Sequence, residues 1–448
     1  MSVTTLPSSA TLSPTSSPVA TVCDDLLVPT LNGPVDFANL DHAASTPALA
    51  AVKDAVDRTL RTYSSVHRGN GYASRVTSRW YELARAEIAA FVGARRDDSV
   101  IFTRTTTDSW ALLAHALPAH TAVFVFATEH HSTLLPWGEH RTVTLPIPGC
   151  VPEALGTLEA ALAADAATSG SQHRLVVLCG ASNVTGEIWP IERFVRVARR
   201  YGARVAVDAA QLAPHRRIDL AEADVDYVAF SGHKLYAPFG TGVLAGRADW
   251  LDAAAPYLVG GGATSQVRPG AGAPRATWAA GAARHEGGSP NVIGAVALAA
   301  ACSTLRRHWS AVERYEATLT ARLREGLEAI PGVRTWSIFD RDSVDRVGVV
   351  AFTVAGLDSG DVSATLSFEH GIGVRDGKFC AHLLTDHLLA AVPQGTAVRA
   401  SVGLATTTEH VERLIAAVAE LAERVRRDPA GWVPPADPGA ELEAPRPW

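Results

Sequence analysis

Between residues 99 and 246 the chain alternates short apolar runs with segments of helical spacing. SVIFT (99–103) precedes TTDSWALLAHAL, and TAVFVFA (121–127) precedes the loop EHHSTLLPW. RLVVLC (174–179) precedes a helical stretch over 191–201. ARVAVD (203–208) then leads to DYVAFSGHKLYAPFGTGVLAG (226–246), which reads strand, loop, strand. Strands alternating with helices predict right-handed crossovers and a mostly parallel sheet covered by helices on both faces. Upstream, residues 48–63 and 73–92 carry helical spacing on either side of the loop SSVHRGNGY. Residues 293–330 form a long helical stretch. After Pro331-Gly332 the texture becomes α+β: strand 347–354, helix 358–370, strands at GIGVR and VRASVG, and a closing helix over 408–427.

The expected architecture is therefore α/β, with a large domain over 26–292 and a long helix with a smaller α+β domain over 293–427. The flanks differ. Residues 1–25 are rich in Ser, Thr and Pro and residues 428–448 in Pro, with too few apolar groups to offset the entropy of ordering, so both read as disordered tails.

Composition narrows the function classes. The chain has 448 residues, 47% of them hydrophobic, with no run of about 18 apolar residues to span a membrane. Its net charge of -6 gives no electrostatic footprint for nucleic acid or anionic lipid. The five cysteines form no CxxC pair and no zinc spacing, which argues against both a disulfide framework and a metal site. Residues 1–50 lack Lys and Arg, so the charged start of a targeting peptide is missing and a cytoplasmic protein is expected. The partner expected is a small molecule or a protein.

Lysine is scarce. Only Lys53, Lys234 and Lys378 occur among 40 basic residues, and Lys234 falls just past a predicted strand, at the sheet edge where α/β proteins present reacting groups. A lysine there is a candidate Schiff-base nucleophile. A solvated surface cation is the ordinary fate of lysine, but the surrounding Ser231, His233 and Gly-rich turn argue otherwise. Other strand ends carry what pyridoxal phosphate (PLP) requires. Asp208 can pair with a protonated pyridine nitrogen, and Gln211 can reach the ring's phenolic oxygen. The cluster Thr105-Thr106-Thr107-Asp108 at a helix start offers hydroxyls, backbone N–H groups and a helix dipole to a phosphate, with Ser231 and His233 as further contacts. A Thr cluster is more often a plain cap, so its weight comes from position. His130 and His131 follow a strand, where an imidazole can stack on a pyridine ring and move protons. Asn183 can bond the ring oxygen or the substrate.

The set EHHSTLLPW, ASNVTGEIWPI, VDAAQLAPHRRIDL, SGHKLYAPFGTGVL, EGGSPNVIG and VRASVG resembles the class-V aminotransferase family of fold-type I PLP-dependent transferases. The closest likeness is to the Suf-type (group II) cysteine desulfurases and selenocysteine lyases. The resemblance implies a homodimer with its sites at the subunit interface. It makes Lys234 the cofactor lysine, Asp208 and Gln211 the ring partners and His130 the stacked imidazole. Thr107, Ser231 and His233, beside Thr106, resemble phosphate ligands, and Ser289 resembles the residue that reaches the partner subunit's phosphate. Arg399 resembles the arginine that clamps the substrate carboxylate, with Arg375 nearby. No metal is implied.

Cys380 matches the position of the family's catalytic cysteine, whose thiolate takes sulfur from L-cysteine as a persulfide and leaves alanine. A sulfur-acceptor protein is a further implied partner. The chain departs from the Suf-type pattern in three places, at four positions. Lys378 and Phe379 replace two histidines before the cysteine, Leu383 replaces a proline, and Gly71 replaces the histidine after VHRG. The competing readings are a β-eliminating carbon–sulfur lyase, another class-V transamination or epimerisation, and a PLP-fold binding protein without catalysis.

Overall fold

The computed structural model describes residues 16–23, 26–67, 69–138, 140–168, 171–339, 344–428 and 432–437. Most of the two expected tails, and residue 68 of the VHRG motif, lie outside that set. Seven strands form the main sheet: β1 Asp98–Thr103, β2 Thr121–Phe126, β3 Arg141–Leu145, β4 His173–Cys179, β5 Arg204–Asp208, β6 Tyr227–Ser231 and β7 Gly242–Arg247, in the order β1-β7-β6-β5-β4-β2-β3. Only β7 runs against its neighbours; β2 through β6 pair in parallel. β2 and β6 are buried along their whole length, as expected when helices cover both faces of a parallel sheet.

Helices α1 Ala50–Leu60 and α2 Tyr72–Phe91 bury residues three to four apart, such as Val52 and Val56 or Ala84 and Ile88. They pack on α3 Val292–Glu328, whose first half adds Leu298, Ala301 and Leu305 to the same core. The second half of α3 belongs to another core, in which Tyr315, Leu319 and Leu323 meet Leu414, Val418 and Leu421 of α4 Thr408–Arg427. That core backs a four-stranded antiparallel sheet, β8 Val333–Thr335, β9 Val349–Val354, β10 Arg375–Gly377 and β11 Ala397–Ser401, in the order β8-β9-β11-β10.

Both flanks hold short described pieces. Val22 N donates to Ala48 O at 3.0 Å and Ala50 N to Ala20 O at 3.0 Å, so residues 20–22 are ordered against the start of α1 although they fall inside the expected tail. Trp432 of the Pro-rich end packs on the small-sheet core.

Residues 182–188, after β4, join the two sheets. Val347 N donates to Gly186 O at 2.8 Å and Ile188 N to Asp345 O at 2.8 Å. The buried Glu187 carboxylate accepts from Ile338 N and Phe339 N and pairs with Arg346. Gly186 is obligatory here, because its φ is +75° and a Cβ would lie 2.5 Å from Val349 O. Among the described residues no helix is long and apolar enough to cross a membrane.

Candidate active site

One wall of a cleft of about 240 Å³ is built by strand ends of the large sheet and the other by the small sheet. β6 ends at Ser231 and the chain turns at once through Gly232–Lys234. Burial pushes the Lys234 amine down to a pKa of about 8; Asp208 opposes that fall and Arg399 adds to it.

Asp208 ends β5 opposite Cys179 in the parallel register. Its carboxylate is 6% exposed and accepts from Thr133 Oγ1, from Trp110 Nε1 at 3.4 Å and from Ala210 N at 2.9 Å. Three donors fix its orientation toward the cleft. Gln211 is anchored through Nε2 to Ala43 O at 2.7 Å.

The threonine cluster opens the 11-residue helix Thr106–Ala116, capped by Thr105. Thr106 N donates to Ser231 Oγ at 2.7 Å, and the two hydroxyls lie 2.7 Å apart. Thr106, Thr107, Ser231 and His233 thus share one corner of the cleft at a helix N-terminus, a cup suited to an anion. Gly242 makes this corner possible, since a Cβ there would meet the backbone of Thr105 at 2.7 Å as β7 passes. Burial, then Lys234, lowers the pKa of His233.

His130 follows β2 and caps the short helix His131–Leu134. Ser132 N donates to its Nδ1 at 3.1 Å, so the neutral ring carries its proton on Nε2. Burial, with Lys234 adding, brings the His130 pKa down to about 4. Beside it Glu129, not singled out by sequence reasoning, is 1% exposed and lines the same cleft. Its Oε1 accepts from Cys179 N at 2.9 Å, Oε2 has no partner, and burial followed by Asp208 raises its pKa well above the usual carboxylate range. A lone acid after an apolar strand is a weak signal.

The opposite wall carries Arg375, Phe379, Cys380 and Arg399. Arg375 and Arg399 face each other across β10 and β11. Arg399 is 3% exposed; it donates to Asn183 O at 3.0 Å and to Asp41 Oδ1 at 3.1 Å, while its Nε has no partner. Phe379 is buried and Cys380 is exposed. Both residues have φ of 54°, a left-handed conformation unusual for side chains of this size. Asn183 Nδ2 donates to Phe379 O at 2.8 Å and His131 N to Cys380 O at 2.9 Å, which holds the turn. Lys378, next to this turn, is paired with Asp386 at 2.6 Å.

Of the site residues expected from sequence, all line this cleft except Ser289, His131 and Asp108. Ser289 is exposed and borders a separate cavity of about 270 Å³ with Asp108 and Tyr257. No cluster of three or more His, Cys, Asp and Glu able to hold a metal occurs among the described residues.

A sequence model of the class-V aminotransferases matches residues 38–414. The chain belongs to the class-V aminotransferase family. Within the family it is 36% identical over 397 residues to a probable cysteine desulfurase of Aeropyrum pernix, a match covering 85% of this chain and 93% of that protein. It is 32% identical over 401 residues to a cysteine desulfurase of Serratia proteamaculans, covering 87% and 94%. Among solved structures, the apo cysteine desulfurase of Thermococcus onnurineus NA1 superposes with a TM-score of 0.76 at 30% identity, covering 87% of this chain and 95% of that one. The Escherichia coli cysteine desulfurase CsdA gives 0.72 at 29% identity, covering 87% and 95%. These likenesses bear out the fold-type I reading of the sequence.

Proposed function

We propose that the protein is a PLP-dependent cysteine desulfurase. The single observation that carries this reading is that Cys380 and Lys234, 146 positions apart in sequence and on opposite walls, line one cleft. The donor set suits the cofactor. The Thr106–Thr107 corner with Ser231 and His233 suits its phosphate, Asp208 its ring nitrogen, Gln211 its phenolic oxygen, and the Lys234 amine its aldehyde carbon. Bound there, PLP supplies an electron sink next to the substrate's α-carbon. Lys234, with its lowered pKa, is suited to nucleophilic attack and to carrying a proton. His130 presents a neutral ring with a donor at Nε2, and Arg399, which lines the cleft, offers its guanidinium to the substrate carboxylate.

Cys380 then acts on sulfur. Its thiolate attacks the substrate's sulfur, the Cβ–S bond breaks, and the carbon skeleton takes a proton and leaves as alanine. The enzyme keeps a persulfide on Cys380, which an external thiol or a sulfur-acceptor protein must discharge. The exposure of Cys380 suits that hand-over. The division into 26–292 and 293–427 fits the two walls, the first holding the cofactor groups and the second Cys380 and both arginines. A homodimer gives the exposed Ser289 a role toward a second copy, and a cytoplasmic setting suits a thiol nucleophile.

The test is product identity with L-cysteine. The expected result is alanine, with turnover lost in Cys380→Ala while the cofactor's absorbance band stays. Pyruvate from the wild type, undiminished in Cys380→Ala, would replace the desulfurase by a β-eliminating lyase.

A further inference from the structure

Two buried carboxyls line the cleft, Asp208 at the end of β5 and Glu129 just past β2, and β4 lies between those strands. The end of β4 ties both. Cys179 N donates to Glu129 Oε1 at 2.9 Å, Gly180 N donates to Asp208 O at 2.8 Å, and Cys179 stands opposite Asp208 in the parallel register. The surroundings of the two acids differ. The Asp208 carboxylate accepts from Thr133 Oγ1, Trp110 Nε1 and Ala210 N, whereas among the described residues Glu129 accepts from Cys179 N alone and its buried Oε2 has no partner. Two carboxyls on adjoining strand ends, both out of water, do not both ionise, and the charge settles on the one with more donors. The cations of the cleft favour the same acid: burial lowers the pKa of Lys234 and of His130, and the Asp208 charge opposes both falls. Burial, then Glu129 and Asp208, push the Cys179 thiol well above its usual range, so it holds no competing charge. The remaining titratable groups of the lining, His233, Arg375, Cys380 and Arg399, belong to the phosphate corner and the opposite wall.

We infer that Glu129 is a positioning residue that acts through Asp208: it holds, on Oε2, the one proton the two carboxyls share, and so leaves Asp208 a full anion toward the cofactor's ring nitrogen. This rests on the proposed assignment of Asp208 to that nitrogen. The pair then presents one negative charge to one pyridinium. With the proton on Asp208 instead, the ring nitrogen would meet a neutral acid and lose its counter-charge. Donor number decides where the proton sits, so removing a donor from Asp208 upsets the arrangement, and it does so only while Glu129 has a proton to give.

The experiment is a double-mutant cycle. Thr133→Val removes the hydroxyl donor from Asp208 at nearly constant volume, once in the wild-type background and once in Glu129→Gln, whose amide has no carboxyl proton to pass on. Three quantities are read: the dissociation constant of PLP on titrating the cofactor-free enzyme, the pH profile of the cofactor's absorbance, and alanine release from L-cysteine. In the wild-type background Thr133→Val should weaken PLP and slow turnover by about tenfold, roughly the worth of one charge-assisted hydrogen bond, and should move the pH profile. In the Glu129→Gln background the same change should cost less than about twofold and leave the profile where it was, a coupling that a merely structural role for Glu129 does not produce. Equal losses in the two backgrounds would overturn the inference. Should Thr133→Val not fold, Trp110→Phe removes the other side-chain donor and gives a second cycle, with a smaller effect in the same sense. Asp208→Asn separates the two ideas. Near-normal PLP affinity and turnover there would remove Asp208 from the ring nitrogen, whereas a steep loss there with equal losses in the cycle would overturn the role of Glu129 alone.

Discussion

Replacing Asp208 by Asn tests the assigned cofactor geometry at its most constrained atom. Asp208 receives Thr133 Oγ1, Trp110 Nε1 and Ala210 N, all of which meet a carboxylate that is almost fully buried. An Asn side chain keeps one oxygen, enough for Ala210 N, and the Thr133 hydroxyl can rotate to accept from the new amide. Trp110 Nε1 can only donate, so at least one contact becomes donor against donor, although at 3.4 Å it is the longest of the three. The fold should therefore survive, with a loss of order 1 kcal/mol. Catalysis should not, because the pyridinium loses a charge-assisted partner worth about 1.5–3 kcal/mol. At about 1.4 kcal/mol per factor of ten, turnover should fall by roughly 10- to 150-fold. The assay is alanine release from L-cysteine at saturating substrate, with cofactor content checked by absorbance. Near-normal turnover in a fully loaded Asn variant would refute the assignment of Asp208 to the ring nitrogen.

Two further expectations follow from the electrostatics of the cleft. Burial lowers the Lys234 pKa to about 8, so between pH 8 and its unfolded value near 10.5 the unfolded chain binds more protons than the folded one, and stability of the cofactor-free protein rises with pH across that window. The stability gap between wild type and Lys234→Met should narrow from pH 8 to 10.5 in denaturant titrations, and a constant gap would show that Lys234 keeps an ordinary pKa. At Glu129, whose Oε1 holds Cys179 N and whose pKa is raised by burial, the neutral isostere Gln should leave the melting temperature nearly unchanged. Glu129→Ala strands a buried N–H and should cost about 1–3 kcal/mol; equal loss in both variants would mean that the carboxyl is charged.

Six strands of the large sheet were legible because they are built on apolar runs ended by polar groups, which placed Lys234, Asp208 and His130 at the right edge. Residues 151–168 were not assigned from the sequence, yet they form a helix, Val151–Thr168. Their Ala-rich composition carries little contrast between faces. β3 and the hairpin Thr264–Arg268 with Arg275–Trp278 were also unassigned; both are largely exposed, so neither shows a buried apolar run. Glu129 and Asp41 escaped notice for a different reason. Each is a single acid whose meaning depends on a partner far along the chain, Cys179 for one and Arg399 for the other. The departures at Lys378 and Phe379 become intelligible only in three dimensions, where Lys378 is paired away and the Phe379 ring lies under Arg399, 5.3 Å from its guanidinium carbon.

The junction at residues 182–188 has a bearing on how the chemistry is kept in alignment. Lys234 follows a strand of one sheet and Cys380 a strand of the other; one core packs Phe379 and Ala381, on either side of Cys380, against Phe124, Val176 and Val207 of the large sheet, and the spacing is also set where Gly186 meets Val347 and Val349, and where Asn183 ties Phe379 and Arg399. That strip works as a gauge between two blocks. A methyl group at Gly186 would press on Val347 O and Val349 O and so change the setting of the gauge. Since misplacing reacting groups by about 1 Å can cost about a hundredfold in rate, fine adjustment of this enzyme extends to Gly186 and Glu187, which lie outside the cleft.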